Sequence, residues 1–216
     1  METLVKSLTS IFTKQLSLDQ DKEQIIAYSL RLVISSIIGY LAIILIAYPL
    51  NILHITIPMA IAHSVLRVCS GGAHASTSTH CFIIGSLIFS ALGLIVKWLL
   101  PIYNFMYISV SSAFIFIIAI LIIKKYAPAD VPDKPIKAKA QREKLKKLSL
   151  WVVIIWYLVI KLSLLFTGDK YATFIIATGW GILWQSFTLT KAGYKFTEFL
   201  DSLLFNIKIS RRYDNV

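Results

Sequence analysis

Six long stretches of this chain are built almost entirely from Ile, Leu, Val, Phe and Ala, and no other feature narrows the possible folds as far. An apolar run of roughly 20 residues, coiled as a helix, matches the ~30 Å hydrocarbon core of a bilayer. A helix also satisfies every backbone N–H and C=O within the segment, as lipid requires. The runs are about Leu32–Leu50, Ile52–Leu66, Phe82–Leu100, Ile102–Ile123, Leu150–Phe166 and Tyr171–Leu189, with Pro49, Asn51, Pro101 and the "TGDK" stretch marking turns and Pro58 interrupting the second run. Only 15% of the 216 residues are charged, against about 25% in a soluble domain. The reading is an all-α polytopic membrane protein of about six spans. Residues 1–24 carry scattered charges rather than a compact apolar core, so no cleavable leader is expected there.

Both ends of the chain show helical apolar spacing outside the spans. Residues 1–18 place Leu4, Leu8, Ile11 and Val5, Phe12, Leu16 on helix faces, with Lys6 and Lys14 among them. That pattern suits a helix lying on the membrane or one packed on the protein's own spans. The tail repeats it with Phe196, Phe199, Leu200, Leu203, Leu204 and Ile207. The whole chain, 1–216, therefore reads as one integral-membrane domain: an interfacial helix at 1–24, a six-span core at 25–190 and a tail at 191–216.

The net charge is +11. In a soluble protein this would suggest nucleic acid. Here the basic residues sit between apolar spans, so anionic headgroups and membrane orientation are the better account, with no nucleic-acid partner. Six spans put both termini and the 124–147 segment on one side, and all three are basic, whereas the opposite loops are very short. The expected topology has both ends in the cytoplasm, and alternation puts residues 67–81 on that face too.

Those residues read "RVCSGGAHASTSTHC". The stretch holds both cysteines, Cys69 and Cys81, and two of the four histidines, His74 and His80; His54 and His63 lie just upstream. A thiolate nucleophile with an imidazole base is the sharpest chemistry available. Cys81 falls in the first turn of the third span, where unpaired N–H groups favour an anion, and Ser78 or Thr79 is placed to cap that helix. Its N–H is one candidate oxyanion donor. Cys69 falls near the end of the second span, where the dipole has the wrong sign. His74 and Cys81 are seven residues apart, which on an unbroken helix means ~10.5 Å along the axis. They can work together only if the chain folds back, and Gly71-Gly72 followed by "ASTST" suits a bend.

Other readings compete. Cys69, His74, His80 and Cys81 could close a tetrahedral zinc site, but the spacing is unfamiliar and no H-E-x-x-H occurs. A zinc-dependent membrane hydrolase or a transporter are the alternatives to a cysteine enzyme. A transporter would be favoured by an acid within the spans, yet every Asp and Glu falls in a predicted loop, end or tail. No G-x-S-x-G is present. Each residue alone also has a bland account, as core filler, polar anchor or turn.

The residues resemble a known family. "RVCSGGAHASTSTHC" is similar to the Arg-x-x-Ser-Gly-Gly-x-His-Ala…Cys pattern of the accessory gene regulator protein B (AgrB) family, and "YAPADVPDKPI" at 126–136 is similar to that family's second patch after the fourth span. The likeness covers nearly the whole chain. It implies a membrane cysteine endopeptidase of Gram-positive quorum sensing acting on a short AgrD-type propeptide, with Cys81 as nucleophile, His74 as general base and no cofactor or metal. The signal would remain on Cys81 as a thioester, and a cysteine or serine within it would close a thiolactone or lactone ring. Arg67, Ser70, Gly71 and Gly72 match the remaining motif positions. Arg67 is a further candidate for the oxyanion, a substrate carboxylate or a lipid phosphate, and Ser70 and Asp130 are candidates to orient His74. Lys134, Lys137, Lys144, Lys146 and Lys147 of the basic segment are candidates to attract the acidic part of the propeptide; lipid contact and orientation is the simpler account of the same charges. The resemblance also implies a homodimer, for which no interface is readable in the sequence.

Overall fold

The computed structural model describes residues 2–16, 19–129 and 138–205. These form eight α-helices and no strand among the described residues: α1 Glu2–Leu16, α2 Gln20–Ala47, α3 Leu53–Ser70, α4 Ser78–Leu99, α5 Phe105–Tyr126, α6 Lys139–Thr167, α7 Ala172–Thr188 and α8 Lys191–Phe205. Several boundaries follow from local chemistry. Asp19 caps α2 by accepting from the Lys22 N–H at 2.9 Å, and Asn104 caps α5 by accepting from the Tyr107 N–H at 3.0 Å. Gly168, at φ 60°, ends α6.

Five helices, α2 to α6, are long and apolar enough to cross a membrane. The sixth expected span, α7, has 17 residues, a length of about 25 Å, at the short end of the spanning range. It is instead the most enclosed helix, buried from Ile175 to Gly179 and again at Gly181, Ile182, Gln185 and Ser186. α3 and α7 form the most extensive helix pair. Gly181 makes this possible: a Cβ there would stand 2.2 Å from the Met59 carbonyl oxygen. Around that pair Ile43, Ile55, Met59, Val96 and Ile176 form one apolar core, and Leu66, Ile123, Ile182, Leu189 and Tyr194 form a second toward one end of the bundle.

The outside is as apolar as the inside. Leu45, Val68 and Leu165 are each about three-quarters exposed or more (75%, 81% and 74%), the inverse of a water-soluble surface. Hydrocarbon chains are the solvent that such a surface requires, so the chain is a multi-pass membrane protein.

Two expectations are refined. α1 packs on α2, with Val5 and Thr9 buried while Ile11 and Phe12 stay exposed, so it leans on the protein and presents an apolar flank outward. The basic 124–147 segment is less of a loop than expected. α5 runs on to Tyr126 and α6 begins at Lys139, so Lys139, Lys144, Lys146 and Lys147 ride on a helical extension of the fifth span. At the other end of the bundle Lys97 Nζ donates to the Leu50 carbonyl at 3.1 Å. Lys161 Nζ donates to Ser109 O and Oγ at 2.9 and 2.8 Å, each ammonium satisfied by a neighbouring turn.

Candidate active site

The residues singled out in the polar stretch gather at one end of the bundle, where α3 stops and α4 starts. α3 ends because Gly71 takes φ 68° while its N–H returns to the Arg67 carbonyl at 2.9 Å. Gly72 follows at φ 130°. Both values suit glycine alone. Space enforces the choice as well: a Cβ on Gly71 would lie 2.3 Å from the Ala129 carbonyl oxygen, and one on Gly72 would lie 2.8 Å from Thr188 Oγ1. The chain is thereby reversed, and the fold-back that the seven-residue spacing demands is present.

α4 then begins at Ser78. Its cap is Thr77, whose side chain accepts from the His80 N–H at 3.1 Å, so neither Ser78 nor Thr79 takes the expected capping role. Extended geometry at Thr77, with φ −134° and ψ 157°, lets its hydroxyl reach the first turn. Cys81 sits in that first turn. Its N–H donates to the Thr77 carbonyl at 3.0 Å, the first bond of the helix, and so is already engaged. The N–H groups of Ser78 and Thr79 are the first-turn donors that a helix leaves without an internal partner.

His74, in the loop between the helices, places Nδ1 3.9 Å from Cys81 Sγ. The contact is long, but within reach of sulfur and of the tightening expected when a substrate arrives. The Arg67 guanidinium first, and burial second, hold the His74 pKa down to about 3. The imidazole is thus neutral near neutral pH and has a free lone pair. Cys69, also a free thiol, lies on α3.

Arg67 is committed to the scaffold. From the last turn of α3 its Nη2 donates to the Ala73 carbonyl and its Nη1 to Gln185 Oε1 at 3.3 Å. Ser70 is fully buried; its Oγ accepts from Gln185 Nε2 at 2.9 Å, and the same Nε2 donates to the Gly71 carbonyl at 2.6 Å. Ser70 therefore braces the α3 terminus against α7 and has no bond to His74. Thr188 completes the brace: its carbonyl accepts from the Ala73 N–H at 3.0 Å and its Oγ1 lies 3.2 Å from Gln185 Oε1.

The second sequence patch meets the first here. The Ala129 N–H donates to the Ser70 carbonyl at 2.9 Å, and Arg142 Nη1 donates to the Pro128 carbonyl at 3.2 Å. Asp130, Lys134 and Lys137 lie outside the described residues. Lys144 and Lys147 are exposed on α6, whereas Lys146 Nζ donates to the Lys124 carbonyl at 2.5 Å and closes the end of α5.

Two residues absent from the sequence reading belong to this end of the bundle. Gln185 is wholly buried and bonds to three parts of the motif; the available signal was a lone amide in an apolar span. Asp201, on α8, is 6% exposed. It accepts from the Ser76 N–H at 2.6 Å and sits 2.7 Å from His80 Nδ1. The available signal was an acid on a helix otherwise read only for its apolar spacing. With His80 so engaged, the four residues weighed as zinc ligands do not converge, and no group of three or more His, Cys, Asp or Glu among the described residues is arranged to hold a metal.

Fold and site together define a multi-pass, all-helical membrane protein with a cysteine–histidine pair at one end of its bundle. The family model Accessory gene regulator B (AgrB) matches residues 5–189, and the chain belongs to that family. "Putative AgrB-like protein 2" of Clostridium perfringens (strain 13 / Type A) is 27% identical over 207 residues, 94% of this chain and 97% of its own length. "Accessory gene regulator protein B" of Staphylococcus intermedius is 32% identical over 143 residues, 65% of this chain and 67% of its own. The protein of that name from Staphylococcus aureus (strain bovine RF122 / ET3-1) is 32% identical over 164 residues, 74% and 80%. No solved structure matches the chain significantly. Family membership supports a role in the accessory gene regulator quorum-sensing system.

Proposed function

We propose that the chain is a membrane cysteine endopeptidase that cleaves an AgrD-type propeptide on the C-terminal side of its signal sequence. The observation that carries this is the approach of His74 Nδ1 to Cys81 Sγ across a loop that two positive-φ glycines bend back. Its location is the bacterial cell membrane, with the site and both termini on the cytoplasmic side, the side favoured by the basic residues.

The chemistry runs in balanced steps. The neutral His74 takes the Cys81 thiol proton as the thiolate attacks the scissile carbonyl. Sγ stands 3.9 Å from Nδ1 of that ring, and negative charge developing on the sulfur offsets the Arg67 charge that holds the resting His74 pKa low. With the Cys81 N–H used by Thr77, the oxyanion falls to the free first-turn N–H groups of Ser78 and Thr79 at the positive end of α4. The tetrahedral intermediate collapses, the C–N bond breaks, and His74 returns the proton to the leaving amine. The signal remains on Cys81 as a thioester. A cysteine thiol within it then gives its proton to His74 and attacks that carbonyl; the thiolactone closes as the bond to Cys81 breaks, and the proton passes to Cys81 Sγ (a serine would give a lactone). Thioester exchange conserves the acyl bond energy that a macrocycle needs. Arg67, Ser70, Gly71 and Gly72 hold the bend, and the exposed Lys144 and Lys147 attract the acidic leaving segment.

The test uses full-length protein in lipid vesicles with an AgrD-type propeptide. Mass spectrometry should find an acyl-enzyme on Cys81 and a cleaved peptide for the wild type and Cys69→Ala. It should find neither for folded Cys81→Ala or His74→Ala, and a chelator should have no effect. Cleavage by Cys81→Ala would overturn the reading.

A further inference from the structure

Resting on that peptidase reading, we propose that Asp201 is a positioning residue for the Cys81–His74 pair, fastening from α8 both ends of the segment that joins them. Its Oδ2 accepts from the Ser76 N–H at 2.6 Å, two residues after His74. Its Oδ1 lies 2.7 Å from Nδ1 of His80, the residue before Cys81. Ser76 Oγ also lies 3.0 Å from that ring nitrogen. One carboxylate thus ties the loop to the first turn of α4, with the charge-assisted bonds that hold geometry best.

The rest of α8 is arranged around this contact. The His80 ring stacks on Phe205, one turn beyond Asp201, with centroids 3.6 Å apart and planes at 5°. The inward face of the helix carries Gly193, Tyr194 and Asp201, while Phe199, Leu203 and Leu204 are exposed. A helix serving only as an apolar anchor would have no use for an acid on its buried side. Gly193 fixes how closely α8 follows α7, since a Cβ there would stand 2.1 Å from the Phe187 carbonyl oxygen. Apart from His74 itself, the loop from Ala73 to Thr77 is made of small residues, Ala, Ser and Thr, that build no packing of their own. Something outside it must hold His74 near Cys81, and Asp201 supplies that restraint without touching either.

Two readouts separate this proposal from the reading beneath it. In vesicles with an AgrD-type propeptide, Asp201→Ala should lower the acylation rate about 100-fold, the scale of a misplacement near 1 Å, with KM nearly unchanged. Asp201→Asn, which keeps an acceptor for Ser76, should recover part of the rate. A geometric readout needs no catalysis. In a His74→Cys, Cys69→Ser background, mild oxidation should close a disulfide between positions 74 and 81, and adding Asp201→Ala should slow closure several-fold. Wild-type acylation in Asp201→Ala, or unchanged disulfide closure, overturns the positioning role while leaving the peptidase intact. Cleavage by Cys81→Ala would instead sink the peptidase reading, and disulfide closure would still decide whether Asp201 holds the loop.

Discussion

Gln185 and Ser70 meet inside the bundle through an Nε2–Oγ hydrogen bond of 2.9 Å, although 115 residues separate them in the chain. Both side chains are fully buried, so neither can exchange this partner for water. The same amide also serves the Gly71 carbonyl and Arg67, which ties the end of α3 to the end of α7.

Gln185→Leu should therefore be costly. It takes the Gln185 partner from the Ser70 hydroxyl and from Arg67 Nη1 and leaves the Gly71 carbonyl only its longer bond from Ser70 Oγ; each buried group left unpaired costs about 1–3 kcal/mol. The expected outcome is a lower thermal midpoint, followed by tryptophan fluorescence in detergent, together with loss of the acyl-enzyme. A midpoint equal to the wild type would show that the brace contributes nothing.

The glycines should divide sharply under Gly→Ala substitution. At Gly71 the new Cβ meets a backbone oxygen at 2.3 Å and φ is 68°; at Gly72 it meets Thr188 Oγ1 at 2.8 Å and φ is 130°. Both variants should lose folded protein and propeptide cleavage. Gly85→Ala, in mid-α4 with nothing within 4 Å, should be neutral or slightly stabilising through helix propensity. Yield of monodisperse protein and acylation rate measure all three.

The low His74 pKa has a pH signature. Between about 3, its folded value, and the ordinary histidine value of about 6.5, the unfolded chain binds a proton that the folded chain does not. Stability should thus fall as pH drops through that window. His74→Asn should flatten that part of the curve of thermal midpoint against pH. Arg67→Gln removes the larger cause of the shift and should move the window toward pH 6.5. Identical pH curves for wild type and His74→Asn would refute the assignment.

Propeptide recruitment should depend on the exposed Lys144 and Lys147. Replacing both with Gln should raise KM at low salt, and the difference should shrink as salt screens the attraction. Lys146→Gln should act differently: its ammonium holds the Lys124 carbonyl, so stability should fall with little change in salt dependence. An unchanged KM at low salt in the double variant would remove these lysines from recruitment.

Much of this was legible from order and spacing alone. Arg67, Gly71, Gly72, His74 and Cys81 stand within one short stretch, and their types announce a bend beside a thiol and an imidazole. The capping residue was misread by one or two positions because Ser78, Thr79 and Thr77 have the same capping chemistry, and only backbone geometry selects Thr77. The Cys81 N–H reads as an oxyanion donor because a cap at Ser78 or Thr79 leaves it among the unpaired first-turn groups; with Thr77 as the cap it already donates to the Thr77 carbonyl. Arg67 reads from sequence as a candidate for an oxyanion, a carboxylate or a phosphate, because a sequence cannot show the Ala73 carbonyl and Gln185 waiting for it.

What the sequence by itself determined is the membrane architecture and the residue types of the candidate pair. Transfer of apolar runs from water to lipid depends on composition summed along each span, and a thiol seven residues from an imidazole is fixed by covalent order. What only the tertiary structure decided is the set of distant groups that make the pair adjacent. Gln185 and Thr188 arrive from α7, Ala129 from the end of α5 and Asp201 from α8. Each is a single polar group whose worth comes from meeting a buried partner far away in sequence, a relation that no local pattern encodes.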